Sequence, residues 1–113
     1  MHELALSQSI LDLVAEYARN NGVDRVTRVT IEVGAAAGVE PDALRFCFEC
    51  VAADTIAQGA ELAIETIALS ARCRDCACEF APKRMFAVCP RCGSGAAILL
   101  TGRELRVKSF DGE

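Results

Sequence analysis

Tryptophan is missing from this 113-residue chain, and tyrosine and histidine each occur once. Binding of single-stranded nucleic acid relies on stacking bases against aromatic rings, so the shortage of rings argues against that class. The charge points the same way. Sixteen acidic residues against twelve basic ones leave −4 at pH 7 and a pI near 5.0, whereas a general nucleic-acid binder carries a basic footprint. No apolar run approaches the ~18 residues of a membrane-spanning helix. With one histidine, no glycine-rich phosphate loop and no paired acids at obvious spacing, the chain offers no catalytic constellation. It therefore reads as a non-enzyme, with no nucleic-acid and no membrane partner.

What remains is ordinary globular composition, 52% apolar and 25% charged. The length suggests one domain with a small appendage. A chain this short buries a modest core, so a metal staple would help it. Met1-His2-Glu3-Leu4 does not resemble the charged start of a secretory leader, and the expected setting is the reducing cytoplasm.

Apolar residues recur at helical spacing over residues 4–20 (Leu6, Ile10, Leu13, Val14, Tyr17), and Asn20-Asn21-Gly22 supplies the stop. Residues 26–33 alternate, with Val29, Ile31 and Val33 facing one way, which predicts a strand. Pro41 opens a second helix, whose predicted inner stripe is Leu44, Cys47, Phe48, Val51 and Thr55. Another strand falls around Leu62 and Ile64. Strand-like patterning resumes at Ile98-Leu99-Leu100 and at Leu105-Val107.

Between these elements the composition changes. Residues 71–95 hold five of the seven cysteines, two prolines, two glycines and a local charge of +3, leaving −7 for the remainder. Such a segment lacks the large aliphatic side chains of an independent core. It reads as an insertion at residues 70–97, with residues 1–69 and 98–113 forming one α/β domain around it. Within it, Cys73-x-x-Cys76 and Cys89-Pro90-x-Cys92 are separated by twelve residues. Two C-x-x-C turns present four thiolates at tetrahedral angles, which suits Zn(II). Four cysteines close the coordination shell, so the zinc is expected to be structural rather than catalytic. Cys78 offers a fifth thiol that could exchange with Cys76 or stay free.

Two further features stay open at this level. Cys47-x-x-Cys50 lies inside the second helix, where it is either a redox or metal pair or two small apolar residues in packing. His2 follows the initiating methionine. An α-amine, a deprotonated amide and an imidazole can enclose one ion in fused rings, with the Glu3 amide closing a square of nitrogens that favours Ni(II) or Cu(II). Taken alone, His2 is more readily read as a chance polar residue.

Met1-His2-Glu3, the strand Val29-Thr30-Ile31-Glu32-Val33-Gly34 and Glu40-Pro41-x-x-Leu44-x-Phe46-x-Phe48-Glu49 together resemble the HypA/HybF family. So do the two cysteine pairs, with Gly93-Ser94 after the second, and the closing Gly102-x-Glu104-Leu105. The resemblance implies a nickel metallochaperone for maturation of nickel-iron hydrogenase, in some bacteria also of urease. It implies an α+β fold, two helices on a small mixed three-stranded sheet, with a zinc-knuckle domain inserted before the last strand. It places Ni(II) cargo on His2 and on backbone nitrogens that include Glu3, with Met1 and Glu40 nearby. It places structural Zn(II) on Cys73, Cys76, Cys89 and Cys92. The implied partners are a nickel-handling GTPase and the hydrogenase large-subunit precursor, with the protein itself a monomer or homodimer. Cys50 and Cys78 depart from the family pattern. The competing classes are a zinc-ribbon module that binds protein or nucleic acid, favoured by the basic segment, and a thiol oxidoreductase built on Cys47 and Cys50.

Overall fold

A computed structural model describes residues 2–83 and 88–113. Met1, singled out in the sequence, lies outside the described residues.

Helix α1 runs Glu3–Asn20 and buries Ser7, Ile10, Leu11, Val14 and Ala18. Its end is closed by backbone geometry. The Val23 amide donates to the Ala18 carbonyl at 2.9 Å and Gly22 adopts φ +67°, the arrangement in which glycine avoids the steric penalty of a left-handed residue. Leu13 and Tyr17 sit on the flank of the apolar stripe, so they stay 41% and 56% exposed rather than entering the core. Ser7 is fully buried. Its hydroxyl donates to the Glu3 carbonyl within its own helix and lies 3.4 Å from the Leu44 carbonyl of the second helix. A small residue with a satisfied hydroxyl lets the two helices approach closely without an orphaned polar group.

Strand β1 (Val26–Gly34) alternates as expected, and Val29, Ile31 and Val33 are buried. Helix α2 (Pro41–Ala52) starts with Pro41 in its first turn, and the Glu40 carboxylate accepts the Asp42 amide at 3.1 Å. Leu44, Phe48 and Ala52 form its buried line. Thr55 lies beyond the helix instead of on its inner stripe. Its hydroxyl donates to the Ala52 carbonyl and accepts from the Ala57 amide, so Thr55 closes the helix end rather than extending it.

Strands β2 (Glu61–Ile67) and β6 (Leu105–Gly112) flank β1 in the order β2-β1-β6. Cross-strand partners give their directions. Thr27 reaches Asp111 while Glu32 reaches Arg106, so β1 and β6 run antiparallel. Arg28 meets Glu61 and Ala35 meets Ile67, so β1 and β2 run parallel, as a crossover through α2 requires. The sheet is mixed. Its polar face carries Arg28–Glu61, Arg106–Glu32 and Lys108–Glu65 ion pairs.

A second sheet, in the order β4-β3-β5, is built from β3 (Ser70–Cys73), β4 (Glu79–Phe80) and β5 (Ala97–Thr101). All its pairings are antiparallel. The chain divides into two compact units. One holds residues 1–32, 38–65 and 106–113; the other holds 33–37 and 66–105. The first is organised around Phe48, Ile31, Leu44, Val14 and Val29, whereas among the described residues of the second the buried apolar side chains are Val33, Ala71, Cys73 and Cys89.

Candidate metal sites

The second unit gathers Cys73, Cys76, Cys89 and Cys92, whose sulfurs all lie within 4.8 Å of one another. Strand β3 delivers Cys73 at its last position, and the chain turns at once into the first cysteine knuckle. The Cys73 carbonyl accepts the Ala77 amide, and the Cys73 amide donates to the Cys78 carbonyl, both at 2.9 Å. The second knuckle repeats this pattern position by position. The Cys89 carbonyl accepts the Gly93 amide, and the Cys89 amide donates to the Ser94 carbonyl, again at 2.9 Å. Gly93 adopts φ +74° and Ala77, its counterpart, φ +61°. The turns are linked by Ser94, whose hydroxyl donates to Asp75 and accepts the Ala96 amide, and by the Arg74 amide on the Ala96 carbonyl.

This donor set fits zinc. Tetrahedral coordination with Zn–S bonds of about 2.3 Å puts sulfurs roughly 3.8 Å apart. The Cys73–Cys92 and Cys76–Cys89 sulfurs stand 3.5 and 3.6 Å apart. The Cys92 amide, with help from that of Arg91, holds the Cys89 thiol down at about 6 against its burial. The Cys78 amide pulls the Cys76 thiol down, but burial and the sulfurs of Cys89 and Cys73 outweigh it and leave it raised. The Ser94 amide acts likewise on Cys92, but hydrogen bonding to Cys73 and burial push that thiol to about 12.

The repeat also accounts for Cys78. It occupies the position of Ser94, and its amide serves the Cys76 sulfur as the Ser94 amide serves Cys92. Its own sulfur points to the Glu79 carbonyl at 3.7 Å, outside the cluster. Aligning Cys73-Arg-Asp-Cys-Ala-Cys78 with Cys89-Pro-Arg-Cys-Gly-Ser94 makes the equivalence of Cys78 and Ser94 legible in the sequence, whereas the Ser94 and Asp75 link between the two turns appears only in the structure.

The other candidate residues lie in the first unit. His2 is exposed, with an extended backbone, and caps α1 without using its side chain. Its carbonyl accepts the Leu6 amide at 3.1 Å. The amides of His2 and Glu3 lie ahead of the first intrahelical bond, so helix formation does not consume them. The Glu3 carboxylate lies 3.5 Å from the Glu40 amide, bringing the starts of α1 and α2 together. Glu40 spends one carboxylate oxygen on capping α2.

A family model described as hydrogenase/urease nickel incorporation, metallochaperone, HypA matches residues 1–112. This chain belongs to the HypA family. The hydrogenase maturation factor HybF of Klebsiella pneumoniae is 46% identical over 113 residues, covering all of both chains. The hydrogenase maturation factor HypA of Geotalea uraniireducens is 43% identical over the same full length. Among solved structures, the nickel metallochaperone HypA from Helicobacter pylori superposes with a TM-score of 0.69 at 25% identity, covering 99% of this chain and 97% of that one. A second HypA solution structure gives 0.76 at 26%, covering 100% and 97%. Membership in the HypA family makes this a metallochaperone fold rather than an enzyme fold. Among the described residues, no helix is long and apolar enough to cross a membrane.

Proposed function

We propose that this protein carries Ni(II) at its N-terminus, through the α-amine, the His2 imidazole and amide, and the Glu3 amide, and delivers it during hydrogenase maturation. The observation that carries this reading is the start of α1. An exposed histidine stands at the second position, followed by backbone amides that the helix leaves unused. Four nitrogens in a plane suit Ni(II). Glu40 acts as a positioning residue, since its carboxylate holds the start of α2 and its amide faces Glu3.

Release follows from where the site is built. Chain termini are the segments most readily displaced, so ligands can transfer one at a time to an acceptor without unfolding a core. The acceptor is a nickel-handling GTPase or the hydrogenase large-subunit precursor, in the cytoplasm. Cys73, Cys76, Cys89 and Cys92 would hold Zn(II), which supplies folding free energy to a unit with few buried aliphatic side chains. The sulfur spacing and the paired knuckles support that assignment.

The test is elemental analysis of untagged protein after nickel loading and desalting, beside His2→Ala. One zinc in both proteins and nickel in the unaltered chain alone is the expected result. A His2→Ala protein that keeps one tightly held nickel refutes the terminal site. Zinc in both with nickel in neither returns the protein to the class of zinc-ribbon interaction modules.

A further inference from the structure

Cys47 and Cys50 belong to neither of the sites above. They lie one helical turn apart on α2, a twelve-residue helix. Both are free; Cys47 is half-buried and Cys50 is exposed. Packing accounts for Cys47, beside the half-buried Ala43 and Val51. It does not account for Cys50, since an exposed thiol contributes nothing to a core.

We propose that Cys47 and Cys50 form a second thiolate site, one that takes a soft, two-coordinate ion of the Cu(I) type. Helix geometry selects this over the alternatives. Side chains at i and i+3 keep their Cβ atoms about 5–6 Å apart. A disulfide needs Cβ atoms at about 3.5–4.5 Å, so closing one would distort the middle of α2. An ion held between two sulfurs by bonds of about 2.3 Å, the length of a zinc–thiolate bond, spans roughly 4.6 Å and needs no such distortion. Ligand number decides the ion. Among the described residues, the four-cysteine cluster is the one close group of three or more cysteine, histidine or carboxylate donors. Cys47 and Cys50 therefore supply two protein ligands, too few for the closed tetrahedral shell of a structural zinc. Thiolates are soft and select Cu(I). Exposed Phe46 and half-buried Val51 give the pair an apolar border. Binding costs two protons, one from each thiol, and the ion keeps its oxidation state.

The site is independent of the nickel reading, and its chemistry is opposite. The N-terminus offers nitrogens to a borderline ion, whereas α2 offers sulfurs to a soft one. The protein would thus hold Cu(I) away from the terminal nitrogens.

The experiment titrates reduced, zinc-loaded full-length protein with Cu(I) buffered by bicinchoninate, with zinc release followed by a chromophoric indicator. The unaltered chain is expected to take one Cu(I) before any zinc appears. Cys47→Ser and Cys50→Ser should each weaken that first equivalent by more than the roughly 10–100-fold that loss of an outer-shell partner costs. Cys78→Ser and His2→Ala should leave it in place. Cys50→Ser alters an exposed position, so it reports on the site even if Cys47→Ser disturbs the fold. The proposal is overturned if the first Cu(I) displaces zinc, if no Cu(I) binds before zinc is lost, or if the double variant still takes the equivalent.

Discussion

The four-cysteine cluster and the proposed terminal nickel site are built on opposite plans. The four cysteines sit on paired turns that repeat the same two backbone hydrogen bonds, and two of the sulfurs' parent residues, Cys73 and Cys89, are buried. The N-terminal residues have an exposed histidine, unused amides and one long contact between Glu3 and the start of α2. The first plan suits an ion that stays and the second an ion that leaves. The difference would let one chain hold two ions apart, since sulfur donors and nitrogen donors prefer different metals and different geometries.

The sharpest way to break this comparison is to open the closed site. Cys89→Ala should abolish zinc retention and unfold the second unit, because metal binding there is folding free energy, on the order of 10–16 kcal/mol in small zinc domains. Zinc content together with amide hydrogen exchange checks this. Loss of protection should be confined to β3–β5 while α1 and α2 stay protected. Global unfolding would mean that the first unit depends on the metal as well.

The next largest effect separates the two ions by pH. The proposed nickel ligands must all be free of protons, so nickel affinity should fall steeply between about pH 8 and pH 5.5. Equilibrium titration with a nickel indicator across that range measures it. Unchanged affinity would show that the ligands are not the amine, amides and imidazole of the terminus.

Much of this arrangement could be read in advance, and the parts that could not have physical reasons. Helix α1, strand β1 and the start of α2 follow from periodicity and from Gly22 and Pro41. The end of α2 did not, because Thr55 has the right spacing for the stripe yet spends its hydroxyl on capping Ala52. Tyr17 likewise fits the helical repeat but lies at its margin, where periodicity cannot tell a buried flank from an exposed one. Strands β3 and β4 are two to four residues long; they pair with each other, and β3 also pairs with β5, a constraint invisible to local pattern. The cysteine cluster was legible because its spacing alone specifies the chemistry. The terminal nickel site is a reading that rests on family resemblance, since one histidine carries little information.

The repeat between knuckles allows a finer comparison. Ala77 holds the left-handed conformation that glycine fills at Gly93, at a cost of roughly 1–2 kcal/mol for a residue with a Cβ. Glycine gives back about 0.5–1 kcal/mol of chain entropy. Ala77→Gly is therefore expected to stabilise the zinc-loaded second unit by up to about 1.5 kcal/mol, read as slower zinc loss to a chelator. Faster loss would mean that Ala77 contributes packing that the turn geometry does not reveal.

The smallest effect lies in the first unit, on the polar face of the sheet. Hydrogen bonding and charge from Glu65, with a contribution from Glu32, raise the Lys108 ammonium above its ordinary range. A raised folded-state value means that the charged form is favoured by folding. The contribution is complete below the unfolded value of about 10.4 and disappears as pH climbs through the folded one. The pair is half exposed on both sides, so solvent screens it and the effect should be small. Lys108→Met should lower the denaturation midpoint slightly at about pH 8, and that gap to the unaltered chain should close as pH climbs past the raised folded-state value. The variant should leave zinc and nickel stoichiometry untouched. A gap that persisted at high pH would assign the loss to the packing of the lysine stem across β1 rather than to its charge.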